Sequence, residues 1–399
     1  MKIITATYKI VTPMFISGAD QTKAELRIPS IKGAIRFWWR ALNWGTFCKL
    51  GAEETDALHS LHAEEARLFG ASKDKDKGGQ GCFLLSVASS KGLQSIQSYE
   101  NIFSNSVKYL AYGLKPRKAI QEGGNFSVEL LFKNKTESND IQQIKDALIA
   151  LGLFGGLGSR SRHGLGSIML EKIMEEDSEN VTWLKPETQE EYKKVAGSLL
   201  DGRLSAINPA PYTCFDKGAR VDLLCSANDS FEAALTAFAE PLLMYRSAGR
   251  NMGGVHKVLR MKSEKNFKED HDWKYKNKGN NQRWAEKSLS NDFHPKRIIF
   301  GLPHNYGIGT HLSVKPERRD RRSSPLLLHI HQFSSGEFVC VGIFLPTLFL
   351  PEGEKINAGG HCVPCCPEYE VISDFLDGRY QESGEPYFPN KKSIYRGSL

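Results

Sequence analysis

The first 173 residues alternate between strand-like and helix-like spacings of apolar residues, and this alternation constrains the fold more than any other feature. Residues 3–11 alternate apolar and polar side chains, as a half-buried strand does. A helix follows from Ser30 to Asn43, where apolar residues recur at helical spacing. The remaining segments are strands at 82–88 and 126–133, a helix at 139–153 and a strand at 166–173. The resulting order, β-α-β-β-α-β, is that of a ferredoxin-like fold.

The second half of the chain predicts a second α+β domain. Its strands are predicted at 219–225, 297–300, 326–332 and 337–345, and its helices at 230–247 and 367–379. We therefore divide the chain into an N-terminal domain at 1–175, with an insertion near 44–81, and a C-terminal domain at 206–399, with a basic insertion near 256–290. Residues 176–205 are interpreted as an acidic connector, because residues 175–191 hold seven acidic residues and one lysine.

Composition excludes several classes of protein. Charged residues make up 25% of the 399 residues and the net charge is +7, which permits a nucleic-acid partner without requiring one. The sequence contains no run of 18 apolar residues, so no membrane span is predicted. The first residues read as a strand instead of a signal peptide, and the eight cysteines are too scattered for a disulfide framework. We expect a cytoplasmic protein with no membrane contact.

The first helix carries a row of cations. Lys32, Arg36 and Arg40 recur at every fourth position and therefore line one face, with Trp39 beside them. Lys32 and Gly33 are predicted in the first turn, where free amides and the helix dipole favour an anion. The spacing predicts that this face binds a phosphate backbone, and a solvated cationic face is the alternative.

A glycine-rich loop at 155–167 joins the second helix to the next strand. Glycines free the backbone to present amides to phosphate oxygens, and the arginines add charge and flat stacking surfaces. The loop has no GK[ST] sequence and follows a helix, which excludes a P-loop. A structural turn that needs positive φ is the alternative. The candidate nucleic-acid contacts in this loop are Gly156, Gly158, Ser159, Arg160, Ser161, Arg162, His163 and Gly164.

These two segments carry a family resemblance. Residues 12–20, the run Pro-Ser-Ile-Lys-Gly-Ala-Ile-Arg-Phe-Trp-Trp-Arg at 29–40 and the Gly-Ser-Arg-Ser-Arg loop resemble the RAMP proteins of CRISPR systems. The resemblance is greatest to the first subunit of the type III-B Cmr effector complex. Weaker similarity at 300–303 and 321–326 extends it over most of the chain.

The resemblance implies two tandem ferredoxin-like (RRM-like, RAMP) domains. It implies a non-catalytic RNA-binding subunit that acts in antiviral defence near the 3′ end of the CRISPR RNA, with target cleavage in another subunit. The implied partners are CRISPR RNA, target single-stranded RNA and other Cmr subunits, with no cofactor. By position, the implied RNA contacts are Lys32, Gly33, Arg36 and the loop at 156–164.

The second half offers two more groups of cations. One lies beside glycines and includes Arg246 and Arg250. The other is diluted by acidic residues and consists of Arg318, Arg319, Arg321 and Arg322. Either group is a candidate for extending an RNA track or docking a neighbouring subunit, and the alternative is a solvated basic loop.

Two alternative functions remain open at this point. A metal-independent endoribonuclease would use His163 as a general base among arginines, with His271 as a second candidate. A protein-docking subunit would use the aromatic residues of the first helix, of which Trp38 is expected in the core and Trp39 at a contact.

Cysteines near the C-terminus give a weak metal signal. Cys362 and Cys365 form a CxxC pair beside His361 and Cys366, but a structural zinc site needs four ligands and no second pair exists. We therefore expect reduced thiols and no metal.

Overall fold

The computed structural model of the chain is a mixed α/β protein with several antiparallel sheets. It describes residues 1–49, 53–72, 79–96, 99, 103–114, 117–175, 178–203, 210–267, 270, 294–306, 312–358 and 361–397. No helix in these ranges is long and apolar enough to cross a membrane.

The N-terminal half is built on a five-stranded antiparallel sheet with the order β4-β7-β1-β8-β9. Its elements are β1 (Lys2–Ile10), α1 (Ile28–Lys49), α2 (Glu54–Phe69), β2 (Gly70–Ala71), β3 (Gly79–Gln80), β4 (Phe83–Lys91), β5 (Ser95–Ile96), α3 (Asn105–Leu110), β6 (Ala119–Ile120), β7 (Asn125–Phe132), α4 (Ser138–Phe154), β8 (Ile168–Glu175), β9 (Ser178–Leu184) and α5 (Gln189–Leu200). The predicted alternation holds in β1, where Ile4, Ala6, Tyr8 and Ile10 are buried. The Tyr8 hydroxyl donates to the Leu148 carbonyl of α4 at 2.9 Å, which ties this helix to the sheet.

The C-terminal half is built on a four-stranded sheet with the order β16-β17-β10-β20. Its elements are β10 (Arg220–Asn228), α6 (Phe231–Arg246), β11 (Arg250–Met252), β12 (Val255–Val258), β13 (Met261–Lys262), a 3₁₀ helix (Lys296–Phe300), β14 (His304–Tyr306), β15 (Leu312–Pro316), β16 (Leu326–Gln332), β17 (Phe338–Phe344), β18 (Ile356–Ala358), β19 (His361–Val363), α7 (Glu370–Asp377) and β20 (Lys392–Arg396). The strands β10, β16, β17 and β20 hold the same relative positions in this sheet as β1, β4, β7 and β8 hold in the first. Smaller sheets form from β11–β13 and from β14, β15, β18 and β19.

The segment interpreted as an acidic connector contains regular structure. Strand β9 pairs antiparallel with β8 and extends the first sheet by one strand. Helix α5 buries Tyr192, whose hydroxyl donates to the Leu153 carbonyl at the end of α4. Three of the acidic residues, Glu179, Glu190 and Glu191, therefore belong to β9 and α5.

The prediction of a strand at 297–300 is wrong, because Lys296–Phe300 forms a 3₁₀ helix. A short apolar run does not distinguish a buried strand from a buried helical turn. The Asp270 carboxylate accepts from the amides of Lys296 and Arg297 at 3.0 and 2.9 Å, which satisfies the free donors at the start of this turn.

The two insertions are described only in part. Residues 73–78 of the first lie outside the described residues. In the basic insertion, β12 and β13 are strands, while most of 268–290 lies outside the described residues.

The core joins the two halves. One apolar cluster contains Ile4 of the first sheet and Leu327 of β16, and the other contains Leu165 of the glycine-rich loop and Leu328. Neighbouring residues of β16 thus enter different clusters, as side chains on opposite faces of a strand do. The glycine-rich loop lies at the junction of the halves.

Candidate nucleic-acid interface

The glycine-rich loop is pinned to the segment that follows β1. The Ser159 amide donates to the Phe15 carbonyl and the Gly166 amide to the Pro13 carbonyl, each at 2.8 Å. The Thr12 hydroxyl donates to the Gly164 carbonyl at 2.8 Å. Several loop amides are therefore satisfied within the protein, which corrects the expectation that this backbone as a whole is open to phosphate.

The loop glycines allow close approach of backbone to backbone. Gly158 has φ +88, and a Cβ there would lie 2.5 Å from the Phe15 oxygen. Gly164 has φ +81, and a Cβ there would lie 2.8 Å from a Leu235 methyl carbon. A Cβ on Gly156 would lie 2.6 Å from the Gly166 oxygen. These positions require glycine for packing and conformation, so the structural-turn alternative accounts for them.

The loop also docks on β16 of the other half. The Leu328 amide donates to the Arg162 carbonyl at 2.9 Å, and the Ile330 amide donates to the Ser167 hydroxyl at 3.0 Å. The His329 Nδ1 lies 2.7 Å from the Gly155 carbonyl oxygen. These bonds hold the backbone of the loop in a fixed position relative to both halves.

Arg160 and Arg162 lie at the surface end of this junction. Arg160 is exposed, adopts φ 64, and donates from Nη2 to the Tyr112 carbonyl. Arg162 is half-buried, with its guanidinium 5.3 Å from the centre of the Phe37 ring and its Nη1 3.3 Å from the Ser324 carbonyl oxygen. Burial and then the neighbouring Arg322 lower the pKa of Arg162 to about 10.

His163 is surrounded by the charges of three arginines. Burial, followed by the charge of Arg160, lowers its pKa to about 4, and Arg246 and Arg162 contribute in the same direction. Its Nδ1 lies 3.2 Å from the Leu110 carbonyl oxygen, which accepts only, so this nitrogen carries the proton. The imidazole is neutral at pH 7 and is a weak base.

Three further arginines from the C-terminal half converge on the loop. Arg246 packs over Tyr109 and Phe300, with its Nη2 2.9 Å from His304 Nε2. Arg322 donates from Nη2 to the Thr347 hydroxyl at 2.8 Å. Arg321 is exposed, and its charge lowers the pKa of Arg160 after burial does.

We call these five residues the arginine cluster: Arg160, Arg162, Arg246, Arg321 and Arg322. Within the ranges that the structure describes, none of them forms a salt bridge. Like charges held together without a carboxylate repel one another, and an anion relieves the repulsion. The cluster therefore has the charge and the guanidinium donors that suit phosphate.

The other predicted cations in the second half lie elsewhere. Arg250 is exposed on β11, in the three-stranded meander. Arg319 Nε lies 3.3 Å from the buried Glu354 carboxylate, and the Arg318 amide donates to the same carboxylate at 3.3 Å. The charge of Arg319 is therefore partly neutralised by the protein itself.

The cationic face of α1 is covered by α2 instead of being free. Arg36 Nε and Arg40 Nη1 each lie 2.7 Å from the same oxygen of Glu65, which is 3% exposed. Lys32 Nζ lies 5.5 Å from the centre of the Phe83 ring, and burial lowers its pKa. The helix begins at Ile28, so Lys32 lies in the second turn and not in the first as predicted. Arg36 and Arg40 are therefore paired with a carboxylate of the protein itself, and their contact with RNA stays a prediction.

Two aromatic residues of α1 are buried, and one glycine is open. Trp39 is fully buried and donates from Nε1 to Gln143 at 3.0 Å, so the predicted surface contact is wrong. Trp38 is in the core, as predicted. Gly33 is exposed, with nothing within 4 Å of a Cβ, and it lies one turn before Phe37, the ring beneath Arg162.

Tyr112 was missed by sequence reasoning. Its side chain is 74% exposed, and its carbonyl accepts from Arg160. It lies just after α3, in a segment whose cations, Lys108, Lys115, Arg117 and Lys118, were not singled out from the sequence. Only its position beside the arginine cluster marks it.

The remaining sequence candidates form no assembled site. Cys362 and Cys366 are exposed and Cys365 is half-buried, and all three are free thiols. Among the described residues, no three His, Cys, Asp or Glu side chains are grouped closely enough to hold a metal ion. His271 lies outside the described residues.

Part of the chain matches a known family and a curated relative. The model of the RAMP superfamily matches residues 7–169. The CRISPR system Cmr subunit Cmr1-2 of Pyrococcus furiosus is 24% identical over 181 residues, which cover 41% of this chain and 93% of that subunit.

Two solved structures share the fold over nearly the whole chain. The crystal structure of Cmr1 from Pyrococcus furiosus, in its apo form, has a TM-score of 0.53 at 19% identity and covers 100% of both chains. A chain of the type III-B Cmr-beta complex bound to cognate target RNA, solved by cryo-electron microscopy, has a TM-score of 0.50 at 12% identity. That match covers 94% of this chain and 98% of the other.

Proposed function

We propose, on the premise that residues 7–169 of this chain are a RAMP superfamily domain, that the chain is an RNA-binding subunit of a type III-B CRISPR ribonucleoprotein, the Cmr complex. Its RNA ligands are CRISPR RNA near the 3′ end, target single-stranded RNA, or both. Its protein partners are other subunits of that complex. The relative from Pyrococcus furiosus, which bears the name of a Cmr subunit, supports the assignment.

The arginine cluster is the observation that carries the RNA-binding role. Its members come from the loop of one half and from α6 and the segment before β16 of the other. Among described residues they lack carboxylate partners, whereas Arg36 and Arg40 share Glu65. An RNA backbone supplies the missing negative charge, and guanidinium groups bind phosphate without reading sequence.

We assign the chain no catalytic step. His163 is the general-base candidate among described residues, and its low pKa of about 4 and its contact with the Leu110 carbonyl favour a structural role. A catalytic base is most effective with a pKa near the working pH. Its neutral ring lies within the electrostatic influence of three arginines and adds no fourth charge.

We also propose that each half is a ferredoxin-like unit, the two arranged in tandem. The matching strand orders of the two sheets support this arrangement, as does a helix after the first and third strand of each set. The N-terminal unit then includes β9 and α5, and the C-terminal unit begins near residue 206.

The test of RNA binding is a salt series with labelled single-stranded RNA and the double variant Arg160→Gln/Arg321→Gln. Both side chains are exposed, so the variant should fold normally. Two lost charge-assisted contacts at about 1.5 kcal/mol each should weaken binding about 100-fold. The slope of log affinity against log salt should fall by about 1.4, because each single-strand phosphate contact contributes about 0.7.

Lys135→Gln is the matched control. Lys135 is exposed and follows β7 at the end of the sheet where Phe132 pairs with Lys2, whereas the glycine-rich loop lies at the other end, beside Val11. Equal affinity and slope in both variants would refute the arginine cluster as the RNA site. RNA recovered in shortened form, and intact with His163→Gln, would establish the nuclease instead.

A further inference from the structure

Tyr112 is the one exposed Phe, Trp or Tyr among the residues whose side-chain exposure the structure describes. The three tryptophans of α1, at positions 38, 39 and 44, are almost wholly buried, whereas Tyr112 leaves 74% of its surface in solvent. A single exposed tyrosine is not unusual by itself. Its place is what makes it informative, because its carbonyl accepts from Arg160, an exposed member of the arginine cluster whose guanidinium also interacts electrostatically with Arg321.

The backbone of Tyr112 is fixed by the glycine-rich loop. Arg160 donates to the Tyr112 carbonyl, and His163 contacts the Leu110 carbonyl two residues earlier. The Tyr112 amide donates to the Tyr109 carbonyl at 3.3 Å, in the turn that ends α3. Gly113 follows with φ +86, and a Cβ there would lie 3.5 Å from Arg160 Nη2. The backbone of Tyr112 is thereby held in place, while most of the residue is exposed to solvent.

This geometry joins a stacking surface to a phosphate-binding group. The Tyr112 phenol is close enough to interact electrostatically with the Arg160 guanidinium, and Arg321 interacts with the same guanidinium. A nucleotide carries its base next to its phosphate, so a base beside a phosphate held by Arg160 falls within reach of the ring. Stacking on aromatic side chains combined with a cationic track is the general mode by which proteins hold unpaired nucleotides.

We propose that Tyr112 stacks on an unpaired base whose phosphate is bound by Arg160 and Arg321, and that the arginine cluster therefore selects single-stranded over double-stranded RNA. The inference rests on the proposed function and adds the residue that holds an unpaired base. In a duplex each base face is covered by its neighbours, so the ring has no stacking partner along the helix. A cluster of arginines alone would bind both forms through their phosphates.

The experiment compares the full chain with Tyr112→Ala and Tyr112→Phe, using labelled single-stranded RNA and a blunt duplex of the same sequence. Tyr112→Ala should weaken single-strand binding about ten-fold, as expected for one lost stacked base. Its salt slope should equal that of the wild type, because no charge changes. Tyr112→Phe should bind like the wild type, since the ring is kept, and duplex affinity should be the same in all three proteins.

A fluorescent base reports the stacking directly. RNAs with 2-aminopurine placed at each position in turn should contain one position that is quenched by the wild type and by Tyr112→Phe, and not by Tyr112→Ala. Thermal unfolding of the three proteins checks that each is folded.

The outcomes separate this inference from the proposed function. Wild-type affinity of Tyr112→Ala for single strands, with Arg160→Gln/Arg321→Gln still weakened, overturns the stacking role and leaves RNA binding in place. Wild-type affinity in both variants overturns the two proposals together. An equal loss of single-strand and duplex binding in Tyr112→Ala overturns the selection of single strands.

Discussion

The contact of α1 with α2 leads to a sharp stability prediction. Glu65 is 3% exposed and accepts from Arg36 and Arg40 at 2.7 Å, and these two side chains are 33% and 36% exposed. Replacing one arginine by methionine removes one charge-assisted hydrogen bond and leaves the carboxylate paired. Each single variant should therefore lose about 1.5 kcal/mol, at the low end for such bonds because water screens the exposed guanidinium.

The double variant Arg36→Met/Arg40→Met should lose more than the two single variants suggest. It strands a buried carboxylate, for which about 3–5 kcal/mol is the usual cost. The triple variant with Glu65→Leu removes the stranded charge and should regain most of that loss, because apolar replacement of a whole buried charge group is often neutral or stabilising. The expected order of stability is wild type and triple variant, then single variants, then the double variant.

Urea unfolding followed by tryptophan fluorescence measures this order, since Trp39 lies in the core on the same helix. RNA affinity measured on the folded protein should stay within about three-fold of the wild type in the triple variant, a change of less than 1 kcal/mol. A triple variant no more stable than the double variant would refute the charge argument. A triple variant that folds and has lost RNA binding would show that Arg36 and Arg40 contribute to the RNA site.

Two other predictions concern pH and the loop glycines. Burial lowers the pKa of His163 and of His329 from 6.5 to about 4. As the pH falls below 6.5, these histidines bind protons in the unfolded chain but stay neutral in the folded protein. The free energy of unfolding should therefore decrease from pH 7 to 5.5 by about 1 kcal/mol for each histidine, and the urea midpoint should decrease with it. His329→Gln should reduce the decrease, and an unchanged midpoint in the wild type would contradict the assignment. Gly158→Ala should destabilise the fold by several kcal/mol and weaken RNA binding, because its Cβ would meet the Phe15 oxygen at 2.5 Å. Gly336→Ala has nearly the same φ, +89 against +88, but open space around the Cβ, and should lose only about 1 kcal/mol. Similar losses in the two glycine variants would mean that the clash is relieved by movement of the loop.

Local sequence patterns predicted most of the secondary structure. Alternation identified β1 and β7, and helical spacing identified α1 and α4, because these signals depend only on which side chains face the core. The glycine-rich loop was also located correctly, since a cluster of glycines ends regular structure. The segment at 297–300 was assigned the wrong state because its 3₁₀ turn depends on Asp270, a residue distant in sequence.

Tertiary structure alone decided which of the predicted cations pair with a carboxylate and which do not. Lys32, Arg36, Arg40, Arg160 and Arg162 look alike in sequence, but Arg36 and Arg40 meet Glu65, which lies 29 and 25 residues away. Arg160 and Arg162 instead meet Arg321 and Arg322 from the other half. Sequence by itself determined the order of elements and the presence of surplus positive charge. The position of that charge was set by long-range packing, because an ion pair depends on distance in space and not on distance along the chain.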